Sequence, residues 1–370
     1  MTTASPAAAL VLSDSPLREE RALLEELERY FGGRASDVDA GQASVRDGLA
    51  FLGERNLLEV GVYGQAETGS LERMAEVTAA VARSDMSQAF SIWCHRMGIE
   101  YLHQADPGSD LRDTLLPHLR TAEVLGSTSF ASAAANYLGQ VPLPVTFRRD
   151  GDELVANGRI AWASNIEGPF VSVVAAANED DPNDRIVFAY TEGTPGFHDS
   201  GYPKLLALQA TNSTSPYFED ARIDLSMLLT SDFTDFFERV FATFILIQCS
   251  FCWGITERSL SEAAPILVGP REVLLEDYAA LEARYDSGVS RLRDYASRAD
   301  RRELGTQEVL QLRLDWGTLA VEAVALEAKT IGGRGYMRDS DTARRSREAA
   351  FLPIQAPTEV QLRWLISRSA

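Results

Sequence analysis

The hydrophobic period of this chain changes twice, and that change constrains the fold more than any other feature. Between residues 16 and about 120, apolar residues recur at the three- and four-residue spacing of amphipathic helices. From 121 to about 226 the pattern becomes short, β-rich apolar runs separated by turn clusters such as NEDDPND and TEGTPG. Helical spacing then returns and continues to the C-terminus. The sequence therefore predicts an α+β protein in three segments, 1–120, 121–226 and 227–370.

Single elements follow from the same spacing and from the turn residues. Strands are expected at 153–158, 170–177 and 185–190, and the C-terminal helices at 232–254, 271–299, 306–329 and from about 358. Asn157-Gly158 is typical of a hairpin turn, so the first of these strands is expected to reverse there. Pro117 is expected to mark a helix boundary, because proline disfavours helical backbone in the residue before it.

The charge balance excludes several classes of protein. The 370 residues contain 35 Lys and Arg against 54 Asp and Glu, which gives a formal net charge of −19. Nucleic-acid binding and docking on anionic lipid both need a basic face, so neither partner is expected. No signal peptide is evident, and the longest apolar run, 240–254, is too short and too polar to span a bilayer. A soluble, cytoplasmic protein is expected.

The three cysteines indicate a reducing compartment and no disulfide framework. Cys249 and Cys252 form a C-x-x-C motif inside an apolar run, which favours a place in the helical core over a redox or metal role. Only four scattered histidines could complete a metal site, so no metal is expected.

Three segments could carry chemistry. The first, GDELVANGRIAWASN at 151–165, offers Trp162 as a wall for a flat heteroaromatic ring and the Ser164 hydroxyl as a hydrogen-bond partner. A plain hairpin with a core tryptophan is the competing interpretation. The second, EVLGSTSF at 123–130, sets small hydroxyl residues beside a glycine and is typical either of a ring contact or of a solvated strand end. The third, IGGRGY at 331–336, allows a close backbone approach or simply caps a helix.

In this order and spacing, the segments resemble the acyl-CoA dehydrogenase family over nearly the whole chain. Segment 151–165 is similar to the family's G-D-x-x-x-x-N-G-x-x-x-W-x-[ST]-N motif, 115–123 to its L-P-x-L-x-x-x-E motif and 331–336 to its I-x-G-G-x-G-[FY] motif. The resemblance implies an N-terminal helical domain, a central β-barrel-like domain and a C-terminal four-helix bundle.

The resemblance also implies a function. It points to an FAD-dependent oxidoreductase that catalyses α,β-dehydrogenation of an acyl thioester linked to coenzyme A or to a carrier protein. Electron-transfer flavoprotein or oxygen would accept the electrons. A homotetramer or homodimer is expected, because the flavin site of this family is shared between subunits.

The cofactor contacts are carried over residue by residue. Ser127 and Thr128 are expected at the pyrimidine end of the flavin. Trp162 is expected beside the ring and Ser164 near its reactive edge. The neighbouring subunit's FAD is expected near Lys329 and Gly332-Gly333. The full expected set is Leu125, Ser127, Thr128, Trp162, Ala163, Ser164, Lys329, Gly332, Gly333 and Thr358.

The chain departs from the family at the catalytic base. Counted from the glycine cluster, the family's Glu falls on Ala356, and the alternative helical position falls near Phe244 and Ile245. Abstraction of an α-proton needs a base within hydrogen-bond reach, and none of these residues supplies one. Glu359 is the fallback candidate, with a helix N-terminal carboxylate as its structural explanation. The catalytic residue is left unassigned, and a flavin monooxygenase or oxidase and a non-catalytic family member stay open as alternatives.

His95 is the one candidate for substrate contact outside these motifs. It lies on the apolar helical stretch 89–102. Two interpretations remain open, a core histidine with satisfied ring nitrogens and a histidine that faces the substrate.

Overall fold

The N-terminal part of the protein is helical. The computed structural model describes residues 18–299, 301 and 303–368. Six helices come first: α1 (Arg18–Gly32), α2 (Ala35–Asp39), α3 (Val45–Gly53), α4 (Leu71–Ala82), α5 (Met86–His103) and α6 (Leu111–Arg120). Helix α5 is the central one, because every residue from Met86 to Leu102 is buried.

The middle of the chain forms one sheet of eight strands. The strands are β1 (Leu125–Thr128), β2 (Val145–Asp150), β3 (Glu153–Arg159), β4 (Phe170–Asn178), β5 (Arg185–Thr191), β6 (Phe197–His198), β7 (Tyr217–Asp224) and β8 (Leu228–Thr230), with the short helix α7 (Ala131–Tyr137) after β1. Their order is β6-β7-β3-β2-β4-β5-β8, and β1 pairs with β4 in parallel. The three strands expected from the sequence are confirmed, whereas the last strand, β8, lies wholly beyond residue 226.

Five helices complete the fold: α8 (Phe233–Ala263), α9 (Leu275–Ala299), α10 (Thr306–Ile331), α11 (Asp341–Ala349) and α12 (Glu359–Ser367). Helix α10 contacts the other four, and α8 also packs on α4 and α5. The predicted α+β architecture is confirmed. The three domain boundaries stay a prediction.

Helix α8 is the most apolar element. The stretch Phe233–Ile266 is long and apolar enough to cross a membrane, but 94% of its most apolar window is buried inside the protein, as in the core helix of a soluble protein. Cys249 and Cys252 lie fully buried on it. Burial raises the pKa of both thiols, that of Cys252 to about 11. The core interpretation of the C-x-x-C motif is confirmed.

The hairpin turn was expected one strand too late. Strand β3 runs straight through Asn157 and Gly158, and the tight turn joins β2 to β3 at Gly151-Asp152 instead. Gly158 is required for a different reason: a β-bulge with β7 lies here, its φ is 131°, and a Cβ atom would collide with the Pro144 carbonyl oxygen.

The helix boundary expected at Pro117 is also wrong, because Pro117 lies inside α6. The proline and Asp113, four residues earlier, are both exposed. The carbonyl group that loses its helical partner is therefore open to water, which makes the proline tolerable.

Candidate functional site

The Trp162–Asn165 segment follows β3 and is anchored by the side chain of Asn165. Its amide donates to the carbonyl oxygens of Ser91 (2.9 Å) and Gly126 (3.0 Å), and its Oδ1 accepts from the Ser91 hydroxyl (2.6 Å). Asn165 is also left-handed (φ 61°), a conformation that Asn tolerates better than most residues. The segment is therefore held rigidly against both α5 and β1, which brings two of the expected cofactor-binding segments together.

Trp162 stands on this rigid support with 53% of its surface exposed. The competing interpretation of a core tryptophan is therefore wrong. The next residue, Ala163, is buried, and its N–H and C=O groups both bond the backbone of Thr214 at 2.9 Å. The backbone of Ala163 thus pairs with that of Thr214, whereas the indole of Trp162 offers a flat apolar surface for a ligand.

Ser164 begins a chain of three hydroxyl groups. Its Oγ lies 2.6 Å from Ser213 Oγ, which lies 2.8 Å from Thr211 Oγ1, and Thr211 donates to the Leu208 carbonyl oxygen at 2.7 Å. The sequence motifs pointed to Ser164 but missed Ser213 and Thr211, which lie about fifty residues away and meet it only in the fold.

The two hydroxyl residues of β1 point to opposite faces of the sheet, as neighbours on a strand must. Thr128 faces α5, where its Oγ1 lies 2.8 Å from the Tyr101 hydroxyl. Ser127 is fully buried, and its Oγ has no hydrogen-bond partner among the described residues. The two side chains therefore do not share a face of the sheet, and the expectation that both residues contact one end of a flavin stays a prediction. Leu125 is also buried, and its N–H donates to the Pro169 carbonyl oxygen (2.9 Å).

His95 is a structural residue in the fully buried core. Its Nδ1 accepts from the Gly126 N–H (2.9 Å), so the proton is on Nε2, which donates to the Leu119 carbonyl oxygen (2.8 Å). Burial lowers its pKa to about 4, and the ring is neutral. Both nitrogens are used, so the substrate-facing role is not supported and the core interpretation applies.

No carboxylate points from the positions where the family's base is expected. Ala356 carries only a methyl group, and its carbonyl oxygen accepts from Gln248 Nε2 at 3.1 Å. Phe244 and Ile245 are buried on α8. The fallback residue Glu359 begins α12 and is bound by Arg363 at 2.8 Å, as its structural explanation predicts.

Thr358 has a structural task next to this position. It is the N-cap of α12, where its Oγ1 accepts from the N–H of Gln361 (3.2 Å). The hydroxyl expected to contact the cofactor therefore completes a capping box.

A buried arginine that the sequence did not single out holds the loop before α12. Arg313 on α10 is 2% exposed, and its Nε donates to Gln248 Oε1 (3.0 Å). Its Nη2 donates to the Leu352 carbonyl oxygen (3.1 Å) and to Gln355 Oε1 (3.2 Å). Arg313 thus holds the loop that contains Ala356, and the groups to which it donates are all neutral.

The glycine turn after α10 lies on the surface. Lys329, Gly332 and Gly333 are exposed, and a Cβ atom at either glycine would meet no other atom within 4 Å. Tyr336 and Met337 follow with 92% and 66% of their surface exposed. In the described part of the chain no hydrogen bond or ion pair joins this turn to the Trp162–Asn165 segment.

The whole chain was compared with known proteins. No family model and no curated protein matches it. Solved structures do match: an acyl-CoA dehydrogenase from Geobacillus kaustophilus has a TM-score of 0.84 at 18% identity, over 96% of this chain and 98% of that chain. This chain has the acyl-CoA dehydrogenase fold. A glutaryl-CoA dehydrogenase from Mycobacterium smegmatis in complex with FADH2 matches with a TM-score of 0.83 at 14% identity, covering 99% and 98%. A prolyl acyl carrier protein oxidase matches with 0.84 at 14%, covering 96% and 99%.

The residues around Trp162 were tested for their fit to a flavin, because one of the matching structures is a complex with FADH2. The exposed indole is a stacking surface, and Ser164, two residues further along the same anchored segment, is 7% exposed. Ser127 is fully buried, and its contact with a flavin stays a prediction.

Proposed function

We propose that this protein is an FAD-dependent oxidoreductase that acts on an acyl thioester, carried by coenzyme A or by a carrier protein. The observation that carries the proposal is Trp162: an indole with 53% of its surface exposed, on a backbone anchored to two other elements. A single exposed tryptophan is common on protein surfaces, so the exposure supports a ligand here because it falls at the position where the family resemblance places a ring contact. The acyl-CoA dehydrogenase fold around it supports a flavin as the covering group.

Trp162, Ser164 and the glycine turn after α10 contact different parts of the cofactor. Trp162 stacks on the ring, and Ser164 bonds a polar atom at the ring edge. FAD supplies the acceptor for the electron pair that leaves the substrate. Lys329 and Gly332-Gly333 contact the cofactor of a second subunit, because their turn lies on the surface with the apolar side chain of Tyr336 exposed next to it.

The reaction we propose first is α,β-dehydrogenation, with electron-transfer flavoprotein or oxygen as acceptor, in a cytoplasmic homotetramer or homodimer. One observation favours a second candidate, a flavin oxidase or monooxygenase. The methyl group of Ala356 and the apolar side chains of Phe244 and Ile245 offer no base for the α-proton. A monooxygenase whose flavin is reduced by an external donor does not need that base, whereas reduction of the flavin by the thioester does.

The test of flavin binding is a spectrum and an FAD titration of the purified protein. We expect the visible absorbance of a bound flavin and a rise in unfolding temperature with FAD, worth about 2.7 kcal/mol at a hundredfold excess over Kd. Trp162→Ala is expected to weaken FAD binding about tenfold or more. The matched control is Trp364→Ala, which removes a tryptophan that is 43% exposed on α12. No absorbance and no thermal shift would exclude the proposal.

The test that separates the two reactions uses oxygen. Oxidised holoenzyme is mixed with an acyl thioester without oxygen, and in a separate reaction flavin reduced by an external donor is mixed with oxygen and the same thioester; the products of both are analysed by mass spectrometry. An α,β-unsaturated product supports the dehydrogenase. A hydroxylated product supports the monooxygenase.

A further inference from the structure

The hydroxyl chain Ser164–Ser213–Thr211 runs inward from the candidate site. Exposure falls along it from 7% and 9% at the two serines to zero at Thr211. It ends on the Leu208 carbonyl oxygen, which accepts from both the N–H (3.1 Å) and the Oγ1 (2.7 Å) of Thr211. A line of hydroxyl groups thus connects Ser164, on the anchored segment beside Trp162, with a fixed backbone acceptor.

A hydroxyl group donates one hydrogen bond and accepts up to two, so this chain has two possible polarities. In the first, Ser164 donates to Ser213, which donates to Thr211, which donates to the Leu208 carbonyl. Ser164 then presents a lone pair toward the site. In the second, Thr211 donates to Ser213, which donates to Ser164, and Ser164 presents its proton. The two states differ only in hydroxyl rotation, because the distances of 2.6 and 2.8 Å serve either direction.

The loop that supplies the inner two hydroxyls is strained and tied down. A single 3₁₀ turn, Gln209–Thr211, is flanked by Leu208 and Asn212, both left-handed with φ of 60° and 46°. A leucine is rarely found in that conformation, and such strain persists only where the surroundings impose it. The Thr211 carbonyl oxygen accepts from the Asn165 N–H at 2.8 Å, which ties the loop to the site segment.

We propose that Ser213 and Thr211 are positioning residues that let Ser164 either donate to or accept from a ring nitrogen of the bound redox cofactor. This inference rests on the proposed function. An oxidised ring nitrogen is a hydrogen-bond acceptor, and the same nitrogen becomes an N–H donor when the ring is reduced. The chain serves both forms without movement of any heavy atom.

The proposal predicts which form each variant weakens. In Thr211→Val the buried Ser213 hydroxyl has no acceptor for its proton when the chain runs in the first polarity. In the second polarity Ser213 still donates to Ser164, so Ser164 can still present its proton. Ser213→Ala likewise leaves the Ser164 proton without an acceptor only when Ser164 must accept. Both variants therefore weaken binding of reduced flavin relative to oxidised flavin.

The experiment measures the affinity of the holoenzyme for FAD in both redox states and its midpoint potential, with dithionite as the electron source. Thr211→Val and Ser213→Ala are expected to weaken the reduced form about tenfold relative to the oxidised form, which lowers a two-electron potential by about 30 mV. Thr211→Ser keeps the hydroxyl and is expected to retain the wild-type potential.

The matched control is a second buried hydroxyl cluster, in which Ser129 Oγ lies 3.0 Å from Ser172 Oγ and 2.8 Å from the Tyr190 hydroxyl. Ser172→Ala is expected to change stability but not the potential. Unchanged relative affinities in Thr211→Val and Ser213→Ala, with wild-type protein that binds FAD, would overturn this inference alone. Wild-type protein that binds no flavin would overturn the proposed function and this inference with it.

Discussion

Glu348→Gln is expected to stabilise the protein at neutral pH, by an amount that grows as pH rises. Glu348 on α11 is 2% exposed, and its Oε1 lies 3.7 Å from Arg344 Nε without a hydrogen bond. The Arg344 guanidinium also attracts the carboxylate of Asp85, which is 1% exposed. One oxygen of Asp85 caps α5, and the other has no hydrogen-bond partner among the described residues. Arg344 also donates to Asp341 and to the Ser84 carbonyl oxygen. One arginine therefore faces two buried carboxyl groups that it cannot both neutralise.

Burial raises the pKa of both carboxyl groups. For Glu348, repulsion from Asp85 and Asp39 adds to the rise, and Arg344 and Arg345 oppose it. The folded protein thus keeps a proton that the unfolded chain releases above a pKa of about 4.3. Stability is therefore lost as pH rises from that value toward the raised pKa. One proton corresponds to about 1.4 kcal/mol per pH unit, or up to about 2.7 kcal/mol between pH 5 and pH 7.

The assay is urea unfolding followed by circular dichroism at pH 5, 6, 7 and 8. Glutamine has the shape of glutamate without the charge, so the stability difference between variant and wild type should increase by up to about 2.7 kcal/mol from pH 5 to pH 7. The matched control is Glu327→Gln: Glu327 is fully buried but bound by two nitrogens of Arg345, so its loss should cost about 3–5 kcal/mol at every pH. A pH-independent difference for Glu348→Gln, or a loss like that of the control, would refute the reasoning.

Three further predictions concern assembly, the missing base and helix packing. Light scattering is expected to show an oligomer, because Tyr336 is 92% exposed on the glycine turn; a single 40.6 kDa species with and without FAD would exclude this. Saturated acyl-CoAs mixed anaerobically with the flavin-loaded protein are expected to leave the flavin unbleached over seconds, because Ala356 replaces a base worth about 10²–10⁴-fold; rapid bleaching would reveal a base elsewhere. Gly254→Ala is expected to cost about 1–3 kcal/mol in urea unfolding, because a Cβ atom would collide with the Ala79 carbonyl oxygen between α8 and α4, whereas Gly193→Ala should stay within about 0.5 kcal/mol.

The regular elements were predictable because their signal is local. The apolar spacing that builds α8, α10 and β4 is present in the sequence of each element and needs no partner to be recognised. The fold class followed from the order of these elements, and the solved structures with the same fold agree with it. The segment around Trp162 was singled out from its residue types, but its role came from the family resemblance, because the residues by themselves also allowed a plain hairpin with a core tryptophan.

The predictions failed where contacts with residues distant in sequence overrode a local signal. Asn157-Gly158 has the residues of a tight turn, but β2 and β7 pair on both sides of it and hold it inside a strand. Pro117 stays in a helix because its face is exposed to water.

By itself, then, the sequence determined the α–β–α order, the acidic surface and the absence of a carboxylate at Ala356, because these depend only on residue types and their spacing along the chain. Only the tertiary structure decided that Trp162 is exposed and that both ring nitrogens of His95 bond backbone groups. It also decided that Ser164, Ser213 and Thr211 form a chain of hydrogen-bonded hydroxyls. The physical reason is that exposure and hydrogen-bond partners are set by residues distant in sequence, and the folded packing alone brings those residues within reach.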